Sequence, residues 1–405
     1  HLARLGKARY DAPLSSLPAC SMTALNDPAW AQAPLALVDV PLIPRPWGGD
    51  ALATLKGQAP SPEPLGESFE AAADPSDEEA GAHPSTVAHP RGDRARLTDL
   101  LASQDVAILG AEVLANEGPR LPLLPKFLDV SGLLSVQAHP PGNPELYVVL
   151  EADADAALYL GFRERLDPTP WQNRWIEALG ALPALEADLS PDAQAALNAW
   201  TLGNDTAAAA LPPITDTHHA LRALNEETLG LLNRLSLKAG DVIFNAQPDS
   251  DGRLGAAIHA LGSPQGGRAL ILEIRRPGVT YRAWDHARLP RRPLGAAAAL
   301  VSVPLDGSEE GDFRVIPEPG PVSCLARSEA FTAWRLTATG DAPVARNTED
   351  RVRTLHVIEG AAQIDSAGGA LRLTRGQSAL LPARLGVWTL SGDAVAVEAA
   401  PGVVL

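Results

Sequence analysis

The sequence predicts a mainly β protein: two antiparallel barrels, the first interrupted by a helical insertion domain. Three observations predict it. Short apolar runs punctuated by Gly, Pro and Asp fill residues 121–161, and strand patterning resumes at Leu235 and runs to Leu405. Helical spacing is concentrated in residues 163–232, about 70 residues. A weak internal repeat relates two strand–Gly turn–strand units, Leu235–Phe244 around Gly240 and Leu371–Leu380 around Gly376.

In chain order, residues 35–50 read as a short strand and Pro-rich turns ending in Trp47-Gly48-Gly49. Residues 64–100 hold Gly66-Glu67-Ser68, a polar loop from Asp74 to Gly81, and the start of a short helix at Leu97–Ser103 with Thr98 as its cap. Within the insertion, Trp171–Leu182, Asp192–Leu202 and Ala220–Leu232 have helical spacing, with Ser190-Pro191 and Thr215-Asp216 as start signals. The repeat also pairs Leu146–Glu151 with Leu355–Glu359. Two related antiparallel sandwiches would give this pattern, as in jelly rolls of the cupin kind.

Composition narrows the function. A net charge of −16 argues against nucleic acid or an anionic membrane as partner. No apolar run approaches the ~20 residues of a transmembrane helix, and no signal-peptide pattern opens the chain. Two cysteines, Cys20 and Cys324, make no disulfide framework. A cytoplasmic, reduced protein is expected. The sole methionine is Met22, so residues 1–21 are read as a non-native or disordered extension that makes Cys20 irrelevant.

The chemistry concentrates in Leu134-Ser135-Val136-Gln137-Ala138-His139-Pro140 and Glu145. Strand alternation places Leu134, Val136 and Ala138 on one face and Ser135, Gln137 and His139 on the other. Gln137 and His139 then sit roughly 6.6 Å apart, close enough to converge on one ion. Glu145 opens the next strand after the turn Pro140–Pro144. Gln, His and carboxylate suit zinc or another divalent first-row metal. A fourth ligand is expected from a later strand, and His259 follows the Gly240-Asp241 turn. His83, His89, His218, His219, His286 and His356 lack ligand-like spacing and are assigned to surface or loop. Trp388 stands where the second copy would place a ligand, so the second barrel is expected to be metal-free.

These pieces, with Pro125-Lys126-Phe127-Leu128-Asp129 and Tyr281-Arg282-Ala283-Trp284-Asp285, resemble type I phosphomannose isomerases of the cupin superfamily, in order over most of residues 35–288. The resemblance implies one zinc ion per chain, held by Gln137, His139, Glu145 and His259. It places Lys126 and Ser135 in the substrate pocket near the phosphate, with Arg45 or Arg282 beside them. It makes Arg282 a catalytic arginine and Glu273 a pocket acid and candidate base, Lys126 joining them in the catalytic set. Asn143-Pro144-Glu145 departs from the family's frequent Lys-Pro-Glu. The organisation expected is therefore 1–21 extension, 22–162 with 233–290 metal-binding barrel, 163–232 helical insertion and 291–405 metal-free barrel.

The activity implied is interconversion of mannose 6-phosphate and fructose 6-phosphate by proton transfer through a cis-enediol. The partner is then a small sugar phosphate; oligomeric state is open, a monomer being compatible. Two alternatives stand beside it: a non-catalytic sugar-phosphate-binding cupin, and a metal-dependent cupin oxygenase, which the Gln ligand disfavours.

Overall fold

A computed structural model describes residues 25–74, 81–186, 189–211 and 214–402. Residues 1–21, including Cys20, lie outside the described residues, as does part of the loop expected from Asp74 to Gly81.

The first part of the chain supplies β1 (Leu35–Val38), β2 (Leu42–Gly49), α1 (Ala51–Leu55), β3 (Leu65–Phe69), β4 (Thr86–Ala88) and β5 (Arg94–Arg96). Two helices follow, α2 (Leu97–Leu109) and α3 (Ala111–Glu117), and then the strands β6 (Leu124–Val130), β7 (Val136–Ala138), β8 (Glu145–Ala152) and β9 (Ala157–Phe162). Helix α2 runs past its predicted end. Ser103 adjoins a kink at Gln104 (φ −140°, ψ 42°), after which the helix resumes, and Arg96 rather than Thr98 stands at the N-cap.

The insertion forms α4 (Pro168–Glu186), α5 (Pro191–Thr201) and α6 (Asp216–Gly230). Both start signals act: the Ser190 hydroxyl accepts the Ala193 N–H at 3.3 Å, and His218 Nδ1 accepts the Thr215 N–H at 3.0 Å. The strands flanking the insertion pair directly, β9 with β10 (Leu232–Ser236). The chain continues through β11 (Val242–Asn245), the hairpin β12 (Gln247–Pro248) and β13 (Leu254–Gly255), β14 (His259–Leu261), β15 (Ala269–Arg275), β16 (Tyr281–Trp284) and α7 (Ala296–Ser302). The remainder is β17 (Arg314–Val315), β18 (Val322–Arg327), β19 (Phe331–Ala338), β20 (Val344–Asn347), β21 (Arg353–Ser366), β22 (Gly369–Thr374), β23 (Ser378–Leu381) and β24 (Val387–Pro401).

Three sheets stack as layers. A seven-stranded sheet (β17-β11-β8-β15-β6-β2-β3) faces a five-stranded sheet (β10-β9-β14-β7-β16). Leu128, Val130, Tyr147, Val149 and Ile271 of the first meet Leu158, Leu160 and Leu235 of the second. Strand alternation sends Phe127, Leu146, Val148, Leu270, Leu272 and Ile274 to the other face, against Leu35, Phe331, Leu380 and Val397 of a ten-stranded sheet. The outer face of the five-stranded sheet packs on the helices through Val136, Ala138 and Trp284 with Trp175, Leu197, Trp200 and Leu221. The fold is mainly β with a helical insertion. The expected barrels differ in one respect: among the described residues no sheet closes on itself. The two facing sheets meet through side chains, not through edge hydrogen bonds.

The repeat reappears in three dimensions. Gly240 and Gly376 adopt φ of 88° and 83°, and their N–H groups donate to Val149 and Val357, each at 2.8 Å. The ten-stranded sheet also recruits β1, which pairs with β23 and carries β4 and β5 at its side, while β17 crosses back to pair with β11.

Candidate metal centre and its cavity

The site lies between the seven- and five-stranded sheets. His259 on β14, Gln137 on β7 and Arg282 on β16 are direct cross-strand partners, so their side chains share one face. His139 follows β7 with the parity of Gln137. Glu145 opens β8 in the opposite sheet, opposite Asn245. Leu134, expected on the face of Val136 and Ala138, packs instead with Trp47 and Tyr147. Its N–H donates to Leu261 before β7 begins, and the regular alternation starts only at Val136.

One ligand atom each from His139, Glu145 and His259 lies within 4.8 Å of the others, and all three residues are buried. His139 Nε2 is 2.8 Å from Glu145 Oε1, and His259 Nε2 is 3.3 Å from Glu145 Oε2. The imidazoles stack with centroids 5.4 Å apart. His259 Nδ1 lies 2.9 Å from the Ala257 carbonyl and His139 Nδ1 lies 3.4 Å from that of Val279. With Nδ1 turned to carbonyls, both Nε2 atoms point at the carboxylate, as metal-ligating histidines do. His139 Nε2 finds no hydrogen-bond partner of good geometry among the described residues. A buried nitrogen left so, beside a second imidazole and a carboxylate, fits a divalent cation of the zinc type. Burial alone would raise the Glu145 pKa, but His139 and His259 outweigh it and hold the carboxyl well below its usual range.

Two neighbours of this group were not foreseen from the sequence. Tyr147 donates its hydroxyl to Glu145 Oε2 at 2.5 Å, and Asn245 Nδ2 donates to the same oxygen at 3.1 Å. Burial, then the charges of Glu145 and Glu273, push the Tyr147 hydroxyl pKa well above its ordinary 10.

A cavity of about 400 Å³ opens onto the centre, lined among others by Arg45, Trp47, Lys126, Gln137, His139 and Glu145. Arg275, Glu273, Glu67, Arg282 and Arg292 complete its charged wall. Lys126 and Glu273 are cross-strand partners. Lys126 Nζ lies 3.3 Å from Glu67 Oε1 and 3.9 Å from Glu273 Oε1, while Arg275 Nε lies 3.4 Å from Glu273 Oε1. Burial raises the Glu273 pKa to about 6; Lys126 and Arg275 oppose the rise and Glu145 adds to it. Glu67 has the opposite outcome: burial raises its pKa, but Lys126 and Arg45 draw it down to about 2.

Ser135 does not line this cavity; it is fully buried and its hydroxyl accepts the Gln137 amide at 3.0 Å. Trp47 does line it, and the glycines after it have steric roles: a Cβ at Gly48 would stand 2.6 Å from the Leu65 carbonyl carbon. Asn143 is turned away to the backbone of Arg276, accepting its N–H at 3.0 Å and donating to its carbonyl at 3.2 Å. Four histidines assigned to surface or loop are buried: His89, His218, His286 and His356. Each has a structural partner, such as the Leu134 carbonyl for His286 (2.8 Å) and the Ser378 hydroxyl for His356 (2.8 Å).

A buried His–Glu–His group, two of whose members line a charged cavity, makes this chain a candidate metal-dependent enzyme of small polar substrates. Comparison shows what the chain is similar to: residues 44–157 match the phosphomannose isomerase type I, catalytic domain, family model. A curated relative, "Putative mannose-6-phosphate isomerase YvyI" of Bacillus subtilis (strain 168), is 25% identical over 358 residues, covering 85% of this chain and 92% of its own. The fold is shared with a mannose 6-phosphate isomerase from Bacillus subtilis, at TM-score 0.62 and 20% identity, covering 91% of this chain and 99% of that one. It is shared equally with a mannose 6-phosphate isomerase bound with zinc and yttrium, at TM-score 0.62 and 18% identity, covering 92% and 100%. The resemblance read from the motifs is matched at residues 44–157 by a type I phosphomannose isomerase catalytic-domain model, and the fold is that of solved mannose 6-phosphate isomerases.

Proposed function

We propose that this enzyme is a zinc-dependent aldose–ketose isomerase interconverting mannose 6-phosphate and fructose 6-phosphate, with one zinc ion per chain. The observation that carries the proposal is the meeting of His139, Glu145 and His259, the first two on the wall of a cavity that also holds Lys126 and four arginines, Arg45, Arg275, Arg282 and Arg292. Gln137, on the face shared with His259, is the fourth ligand. Zinc, when bound, supplies Lewis acidity toward the sugar carbonyl.

The remaining roles belong to the chain. Glu273, ionised at neutral pH with a pKa of about 6, takes the C2 proton of the aldose and returns it to C1, by way of the cis-enediol, while the hydroxyl proton passes from O2 to O1 of the sugar. Arg275 at 3.4 Å and Lys126 at 3.9 Å both oppose the effect of burial on that carboxylate, Lys126 the more strongly, and keep Glu273 ionised. Arg282, always charged, steadies the negative charge that develops on the sugar oxygens. Arg45 and Lys126 lie on the cavity wall where a C6 phosphate would be met, and Ser135 holds the Gln137 amide in place. An acidic protein must gather cations locally to bind an anion, and this cavity does so.

We read the two β halves as cupin-like jelly rolls, 22–162 with 233–290 carrying the metal and 291–405 without it. The helices of 163–232 close the outer face of the metal-bearing half. Two packed faces in each half, and the repeated Gly240 and Gly376 turns, support this reading.

A coupled assay for fructose 6-phosphate formation, with and without chelator, tests the function. Turnover abolished by chelator and restored by zinc is expected. Sugar-phosphate binding without turnover would identify a non-catalytic binding protein, and oxygen uptake would identify an oxygenase. His259→Ala is expected to lose both stoichiometric zinc and turnover while its far-ultraviolet circular dichroism stays that of a β protein; a variant that keeps its zinc refutes the ligand set.

A further inference from the structure

The two oxygens of Glu145 are not equivalent. Oε2 accepts both the Tyr147 hydroxyl at 2.5 Å and the Asn245 amide at 3.1 Å. A carboxylate has about four lone-pair directions over two oxygens, so these donors use those of Oε2. Oε1 faces His139 Nε2.

The orientation of Asn245 is fixed, because its Oδ1 accepts the Ala257 N–H at 2.8 Å and only an oxygen can do so. Its Nδ2 therefore faces Glu145. The carbonyl of the same Ala257 meets His259 Nδ1 at 2.9 Å, which turns Nε2 toward the carboxylate. One fully buried amide thus touches Glu145 directly, lies 3.3 Å from His259 Nδ1 through the same Nδ2, and reaches His259 again through Ala257.

We propose that Asn245 and Tyr147 are positioning residues that present Glu145 to the metal through Oε1 alone and hold His259 Nε2 on the same point. The consequence is a free coordination position. Catalytic zinc keeps a position open for substrate. A carboxylate free to rock would chelate through both oxygens and fill the place a sugar oxygen needs. This inference rests on the metal-centre reading above.

Co2+ is the probe, since its visible absorption weakens as coordination number rises. The metal-free full chain is titrated with Co2+ as wild type, Tyr147→Phe and Asn245→Leu, with affinities taken by chelator competition. The wild type is expected to bind one Co2+, and each variant to bind about 10- to 100-fold more weakly, with lower molar absorption and a raised KM for the sugar phosphate. A wild type that binds no Co2+ would overturn the metal centre itself. Wild-type binding with unchanged affinity and spectrum in Tyr147→Phe would overturn this inference alone. Tyr147→Phe decides the matter if Asn245→Leu does not fold.

Discussion

Glu67 and Glu273 flank the same lysine and diverge in acidity. Both are buried, and Lys126 draws both down. Glu67 also holds Arg45, through Arg45 Nε at 2.6 Å, and stays ionised. Glu273 lies farther from Lys126 and feels Glu145 and Glu67, so it is left poised. If Glu273 is the base, kcat/KM falls as pH drops through about 6, because protonation removes it. Glu273→Gln is expected to lose about 100-fold or more in kcat and to lose that acid limb; a pH–rate profile of the variant with the limb intact would assign it elsewhere. Gln137 and His139 were legible in the sequence because a two-residue period states its own geometry. Asn245, Tyr147 and Glu67 were not: their roles arise from register between distant strands, which no local spacing encodes.

At the scale of elements, the two repeated turns differ in what surrounds them. Gly240 has open space where a Cβ would go, whereas at Gly376 it would stand 2.6 Å from the Leu55 carbonyl oxygen. Both need a left-handed backbone. Gly240→Ala is therefore expected to cost about 1–2 kcal/mol from conformation alone, and Gly376→Ala more, as a larger fall in the urea midpoint. Equal shifts would show that the Leu55 contact yields without cost. The strands and insertion helices were readable from periodicity and caps, as at Ser190. The end of α2 was not: Gln104 breaks the helical geometry, and its side chain donates to the Asp27 carbonyl at 2.9 Å, a contact from far along the chain.

For the whole molecule, buried histidines set the response to acid. Burial, and then Arg288, lowers His286 to about 4; burial, and then Lys56, lowers His356 to about 3. Both folded-state values lie below the ordinary 6.5. The unfolded chain therefore binds more protons below that pH, and stability falls there. Their contribution is whole above pH 6.5 and is lost as pH drops toward 4 and then 3. Glu67 adds a second loss below its ordinary 4.5, continuing toward 2. The Tm of the metal-free protein is expected to be level near pH 7.5 and to decline below 6.5. A His356→Asn variant should show a shallower decline, and an identical slope would remove His356 from this account.

The exchange of strands between the halves makes residue 290 a poor place to cut. A chain ending there loses β17, baring the edge of β11 beside Val242, and leaves β1, β4 and β5 without the ladder they extend. The reciprocal piece, 291–405, is missing the neighbour of β23. Neither fragment should accumulate as a soluble species when expressed singly, whereas co-expression should yield a nicked, non-covalent heterodimer that melts in one step. Two independently stable fragments would mean that the borrowed strands are ornamental.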